Sequence, residues 1–349
     1  MDSNIMDMFE KGKVVKICAP MVRYSKLAFR SLVRKYDCDV CFTPMIIAAD
    51  FMRSSKARDS EFTTNRADRP LVVQFAANDP QTLAEAASAV APFSDGVDLN
   101  CGCPQRWATA EGYGACLINE PELVRDMIRQ VRSRVENPKY SVSIKIRIHK
   151  DLRRTVDLCQ KAEMAGVSWV TVHGRTAEER HQPVHYDAIK TIKDSVSIPV
   201  IANGDVKSLK DVESTYLHTR VDGVMAARGL LANPAMFAGY ENTPLECVWD
   251  WVDIALEHDV NNTQTYVVYC WKFPKPLSVL WPYLNHHVWT ACIHSTTITA
   301  NLLRPTGMYP GCFSIFVFCL ISPLEVNKTH LHVPLWVGSW LATLLALTT

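Results

Sequence analysis

Scarcities narrow the reading of this chain first. It lacks an excess of either charge, since 37 Lys+Arg stand against 36 Asp+Glu for a net charge of +1. Charge therefore advertises no nucleic-acid partner, although a local basic groove would vanish in the sum. The first 13 residues carry Asp2, Asp7 and Glu10 and no apolar core of signal-peptide length. A reducing compartment is expected, the cytoplasm first and the nucleus second. The twelve cysteines are irregularly spaced and offer no disulfide framework of the small secreted kind. Cys38 and Cys41 form a C-x-x-C pair, yet no second pair or histidine pair stands at zinc spacing, so buried thiols and no metal are expected. Gly112-Tyr113-Gly114 lacks the third glycine and the preceding strand of a dinucleotide fingerprint. Two apolar runs, Cys312 to Ile321 and Val333 to Ala346, fall short of the roughly 20 residues that span a bilayer, and Pro334 interrupts the second. No stable membrane association is expected.

What is present describes a globular chain, 48% hydrophobic and 21% charged, long enough for one large domain and a smaller one. Composition breaks once. Only six of the 91 residues after His258 are charged. The expected organisation is a catalytic domain over 1–240, the start of a helical domain over 241–258, and an atypical, poorly ordered tail over 259–349.

The first 240 residues alternate short apolar runs with helical periods. Strands are expected at Val14 to Ala19, Asp39 to Thr43, Pro70 to Phe75, from Gly96, at Ser141 to Arg147, Ser168 to His173, Ile198 to Ala202 and Asp222 to Ala226. Helices are expected at Ser25 to Tyr36 with Ser25 as N-cap, from Asp79-Pro80 to Val90, at Pro121 to Val135 capped by Asn119, and at Asp151 to Ala165. Two more follow at Ser208 to Tyr216 and Leu230 to Phe237. Pro44 to Asp68 reads as a long solvated connection and Ala110 to Ala115 as a flexible loop. Eight strands with intervening helices over about 225 residues match a (β/α)8 TIM barrel, with a doubly wound open sheet as the runner-up.

A barrel keeps its chemistry at the C-terminal ends of its strands, because its interior is packed with branched apolar side chains. Read in order, those ends carry Pro20-Met21, Gln74, Asn100 with Cys103, Lys145 with Arg147, His173 with Arg175, Asn203-Gly204-Asp205 and Ala227-Arg228-Gly229. Singly, His173 reads equally well as a core histidine and Lys145 as a snorkelling side chain; the repeated placement argues for a site. The groups after the seventh and eighth strands suit a phosphate-bearing cofactor. Gln74, Lys145 and His173 supply donors for the edge of a polar heteroaromatic ring such as a flavin, though any phosphorylated ligand would use the same donors. Cys103 suits a proton donor or an activated nucleophile. Cys101 is its rival, and Cys103 is preferred because the Gly102-Cys103-Pro104 turn projects it beyond the strand.

Together these residues resemble the tRNA-dihydrouridine synthases. The strings Cys18-Ala19-Pro20-Met21-Val22, Asp98-Leu99-Asn100-Cys101-Gly102-Cys103-Pro104, Gly112-Tyr113-Gly114-Ala115, Lys145-Ile146-Arg147, Val172-His173-Gly174-Arg175-Thr176, Asn203-Gly204-Asp205 and Ala227-Arg228-Gly229 occur in the family's order. Ala19 to Lys26 and Leu231-Ala232-Asn233-Pro234 resemble its eukaryotic branch acting at D-loop positions 20a and 20b. The resemblance implies an FMN-bound barrel that takes electrons from NADPH or NADH and reduces the C5=C6 bond of a tRNA uridine. Hydride enters at C6 and Cys103 delivers the proton to C5. It implies FMN contacts from Pro20, Met21, Val22, Gln74, Lys145, His173, Asn203, Gly204, Asp205, Ala227 and Arg228. Asn100, Arg147 and Arg175 would meet the uridine or its neighbours, and the chain is expected to be a monomer. Family members follow the barrel with a polar helical domain that helps hold tRNA. Pro244 to Glu257 begins it here, with Trp249, Trp251, Ile254 and Leu256 for a packed face; the low-charge tail then departs, and weaker tRNA binding is expected of it. Alternatives are an FMN-binding barrel left idle on tRNA by that tail, or a free-pyrimidine flavin reductase.

Overall fold

The computed structural model describes residues 4–9 and 13–258; the expected atypical tail and its two apolar runs lie outside the described residues. In chain order, β1 (Val15–Cys18), α1 (Leu27–Lys35), β2 (Val40–Phe42), β3 (Ile46–Ile47), α2 (Ala48–Arg53) and α3 (Ser55–Glu61) come first. Next are β4 (Leu71–Ala76), α4 (Pro80–Val90), β5 (Gly96–Cys101), α5 (Arg106–Ala110), α6 (Pro121–Arg134), β6 (Ser141–Arg147) and α7 (Leu152–Met164). The series ends with β7 (Trp169–His173), α8 (Tyr186–Ser195), β8 (Val200–Asn203), α9 (Leu209–Thr219), β9 (Gly223–Ala226), α10 (Arg228–Ala232) and α11 (Leu245–Glu257).

All strand pairings are parallel. β1 pairs with both β2 and β9, and β2 pairs with β4, so the sheet closes on itself as an eight-stranded (β/α)8 barrel and the open-sheet alternative falls. The two-residue β3 lies outside that ring, beside the end of β4 with Ile46 opposite Phe75. β4 and β5 are buried at every position, as strands covered on both faces must be.

Local chemistry sets several helix starts. Asp79 accepts from the Thr82 amide ahead of Pro80, Asp151 from Arg153 and Ser208 from Asp211, each satisfying an amide that has no intrahelical partner. Two expected caps are corrected. Ser25 turns its hydroxyl back to the Met21 backbone and Lys26 takes the cap position of α1; Glu120, without a side-chain bond, precedes α6 in place of Asn119. The helix α8 stands between the sixth and seventh expected strands, where the sequence pattern predicts none. Leu230 to Phe237 is not one helix but α10 followed by a 3-10 turn at Met236–Ala238.

The stretch from Pro44 to Asp68 is not a solvated loop, since it holds β3, α2 and α3 and ends on a buried carboxylate. Arg30 donates to Asp68 at 2.7 and 3.0 Å and Arg34 donates to it at 3.3 Å, while their other donors reach the carbonyls of Ser25, Thr63 and Pro70. These bonds staple the stretch to α1. At the other end of the barrel domain, α11 buries Cys247, Trp251, Ile254 and Ala255, and Asp250 accepts from Tyr36 of the α1 end at 2.8 Å. Of the packed face expected there, Trp249 is half-buried, and Cys247 and Ala255 join in its place. The Leu256 side chain lies outside what the structure describes.

Among the described residues no helix is long and apolar enough to cross a membrane, and no cluster of ligating side chains could hold a metal ion.

Candidate active site

Strand residues two apart share a face. On β5 this groups Asp98 with Asn100, and on β6 Ser143 with Lys145 and Arg147. Hydrogen bonds join side chains of the neighbouring strands β4, β5 and β6. Ser143 Oγ donates to Asp98 at 2.6 Å, Gln74 of β4 donates to the other Asp98 oxygen at 2.8 Å, and Asn100 donates to Gln74 Oε1 at 2.9 Å. The interior was expected to be branched and apolar below the mouth; instead polarity runs a layer deeper. Asp98 and Ser143 were missed as site residues, although their phase with Asn100 and Lys145 was a readable signal. Burial pushes the Asp98 carboxyl up to about 6, with the Ser143 and Gln74 hydrogen bonds opposing the rise.

The column ends on the loop that carries Cys103. Asn100 Oδ1 accepts from the backbone amides of Gly102 at 3.0 Å and Cys103 at 2.9 Å. Behind the loop, the Ala115 amide donates to the Cys103 carbonyl at 2.9 Å. Gly114 has φ +69°, and a Cβ there would lie 2.5 Å from that carbonyl, so only glycine lets the two segments touch. The Cys103 side chain packs, half-buried, against a cluster of Ala76, Ala108 and Tyr113. The expected flexible loop at Ala110 to Ala115 is therefore a fixed support for the thiol. Cys101 is fully buried, and burial pushes its thiol well above the usual range, which leaves Cys103 as the accessible member of the pair.

Lys145 is half-buried, and its ammonium makes no hydrogen bond among the described residues. Burial, aided by Arg147, lowers its ammonium to about 8. His173, at the end of β7, is held down to about 2 by burial and by Lys145, Arg147 and Arg175, so its ring is neutral throughout the working pH range. Arg175 Nη1 lies 3.2 Å from His173 Nε2. A guanidinium can only donate, so Nε2 must accept and Nδ1 carries the ring proton.

Two arginines expected at the substrate behave differently. Arg147 donates to the carbonyls of Gly102, Thr176 and Glu179 at 3.0, 2.8 and 3.0 Å, tying the Cys103 loop to the loop after β7. It also lines a cleft with His149, Lys150 and Thr176. Arg175 is buried, its donors directed to the Gln182 carbonyl, His173 and Asp205.

Across the mouth, the buried Asn203 donates to the Met225 carbonyl at 2.8 Å, fastening the end of β8 to β9. Gly204 has φ +131°, and a Cβ there would strike Val184 at 2.7 Å, so its glycine answers to packing as well as conformation. The Asp205 carboxylate lies between Arg175 and Arg228, which donates at 3.5 Å. Ala227 and the exposed Arg228 open α10. Ala19 donates to the Ala226 carbonyl, which brings Pro20 and Met21 to the same rim; Met21 is buried and Val22 is exposed. The barrel thus brings the expected residues to one end, with Arg175 beneath the surface rather than on it.

A family model described as dihydrouridine synthase matches residues 17–291. A mouse protein named tRNA-dihydrouridine(20a/20b) synthase [NAD(P)+]-like is 73% identical over 252 residues, covering 72% of this chain and 78% of its own length. Its human counterpart is likewise 73% identical over 252 residues, covering 72% and 80%. The tRNA-dihydrouridine(20a/20b) synthase [NAD(P)+] of Schizosaccharomyces pombe is 50% identical over 240 residues, covering 68% and 73%.

Proposed function

The chain belongs to the dihydrouridine synthase family, and on that premise we propose that it reduces the C5=C6 bond of uridine at D-loop positions 20a and 20b of tRNA, with FMN as cofactor and NADPH or NADH as reductant. The observation that carries this reading is the Cys103 cradle. A half-buried thiol is held by its own backbone amide and carbonyl at the end of a barrel strand, where a proton donor needs a fixed position.

The donor set fits a flavin. Lys145 has an ammonium without a protein partner among the described residues, Gln74 and Asn100 each keep one unused N–H after donating to Asp98 and to Gln74 Oε1 respectively, and Arg228 stands exposed at the rim for a phosphate. FMN held there would, once reduced, be the source of hydride for uridine C6. The chain's residues do the rest. Cys103 Sγ–H donates the proton to C5, and Lys145 with the free N–H groups stabilises negative charge on the bound rings. Arg147 stands beside the thiol, and with Lys150 it brings positive charge for the tRNA backbone to a cleft that Glu178 also lines. Arg175 acts at one remove, fixing the His173 tautomer and anchoring Asp205. The target base must leave its stack to reach the site, at a cost of a few kcal/mol.

The test is anaerobic. The flavin of the full-length protein is reduced with NADPH, unmodified tRNA is added, and flavin reoxidation is followed together with dihydrouridine in the product. Reoxidation with product is expected from the parent, whereas Cys103→Ala should keep nicotinamide-driven flavin reduction and slow the uridine step about 100-fold or more. A parent that stays reduced in the presence of tRNA would overturn the reading.

A further inference from the structure

Asp98 has no place in the chemistry above, yet every polar group of its column depends on it. It is fully buried on β5, as is Gln74 on β4, and Asn100 is nearly so. An amide side chain turned by half a rotation keeps its shape but exchanges donor for acceptor. Nothing in the shape of the barrel therefore decides how Gln74 and Asn100 face. Their hydrogen-bond partners do. At the lower end, the ionised Asp98 carboxylate can only accept, and it takes Ser143 on one oxygen and Gln74 on the other. Gln74 must then turn its oxygen to Asn100, which must donate to it. At the upper end the backbone amides of Gly102 and Cys103 can only donate, and they converge on the one oxygen that Asn100 has left. The column is consistent from both directions, and each amide keeps one N–H to spare.

We propose that Asp98 is a positioning residue: from the foot of the column it holds Gln74 with its oxygen toward Asn100, reinforcing the grip of the Gly102 and Cys103 amides on Asn100, so that the spare N–H donors and the Cys103 loop are kept in place. The proposal rests on the functional reading above for the use of those donors, but its effect on the loop is independent of it.

The test uses the full-length protein and two variants. Asp98→Asn puts a side chain with both a donor and an acceptor end at the foot of the column, which removes the lower constraint on Gln74 and leaves its direction to be set from the upper end alone. Adding Gln74→Glu restores a forced direction, because the carboxylate so introduced can only accept, from the new amide below and from Asn100 above. The readout is the rate at which iodoacetamide alkylates Cys103, followed by peptide mass spectrometry, beside a thermal melt for folding. The single variant is expected to alkylate about threefold to tenfold faster, the population shift that matches the net worth of one hydrogen bond. The double variant is expected to return to the parental rate. On tRNA, Asp98→Asn should lower kcat more than it raises KM.

An unchanged alkylation rate in a folded Asp98→Asn, or a folded double variant no slower than the single one, would overturn the proposal. Should the single variant fail to fold, the double variant decides: parental alkylation supports the proposal, and loss of folding overturns it. A parent inactive on tRNA would sink the functional reading while leaving the alkylation comparison to be read.

Discussion

Two centres in this chain have the same composition, one aspartate between two arginines, and opposite design. In the first, Arg30, Asp68 and Arg34 have side chains 1%, 0% and 14% exposed. Their donors run to one another and to three backbone carbonyls, so the centre has little left to offer a ligand. In the second, Arg175, Asp205 and Arg228 are 2%, 32% and 63% exposed, a gradient from the interior to the rim of the mouth. Its inner arginine is spent on the protein and its outer one is available. A saturated ion cluster fastens backbone to backbone; a graded one transmits that fastening to a surface where a ligand can use the remaining charge.

The comparison is broken most forcibly at Asp68. Asp68→Ala leaves two buried guanidiniums without a counter-charge and should cost about 3–5 kcal/mol of stability, read from urea unfolding. A loss below about 1 kcal/mol, the range of solvent-screened pairs, would show that water reaches the cluster. Asp205→Asn should cost less, about 1–2 kcal/mol, because solvent screens the outer half of that centre. A loss equal to that at Asp68 would erase the distinction. Arg228→Gln sharpens it. Unfolding should move by no more than about 0.5 kcal/mol, while FMN affinity falls about tenfold, measured by fluorescence titration of the flavin-free protein. Unchanged affinity would remove Arg228 from the cofactor site.

The smallest effect is a pH dependence contributed by Lys145, which stands in the mouth as a cation without a carboxylate bonded to it. Burial holds its ammonium near 8, against 10.5 for a free lysine. Between those values the folded chain has released the proton while the unfolded chain keeps it, so stability should rise with pH across that window. Flavin affinity should run the other way, falling as the cation is lost above about 8. Lys145→Met should flatten both curves, and profiles that keep their shape would exclude Lys145 as their source.

The mouth of the barrel was legible because strand periodicity is local. Val142, Ile144 and Ile146 mark one face of β6, and Lys145 and Arg147 fall on the other with no alignment needed. The preference for Cys103 over Cys101 also followed from a turn that can be read in three residues. The caps at Asp79, Asp151 and Ser208 were equally local. Ser25 was not, because its hydroxyl chose the Met21 backbone over the helix it precedes. Asp68 looked like the end of a polar loop until α1 brought two arginines to it from more than thirty residues away.

The sequence by itself determined the order of the eight barrel strands and which side chains reach the catalytic end, since both depend on a spacing of two residues. Only the tertiary structure decided which of those polar groups are already spent. Arg175 and Asp205 are 30 residues apart, Gln74 and Asp98 are 24 apart, and Ser143 and Asp98 are 45 apart. Those partners meet because neighbouring parallel strands are joined through a helix. No local pattern records the meeting, and it is the meeting that divides a residue held for the fold from one left free for a ligand.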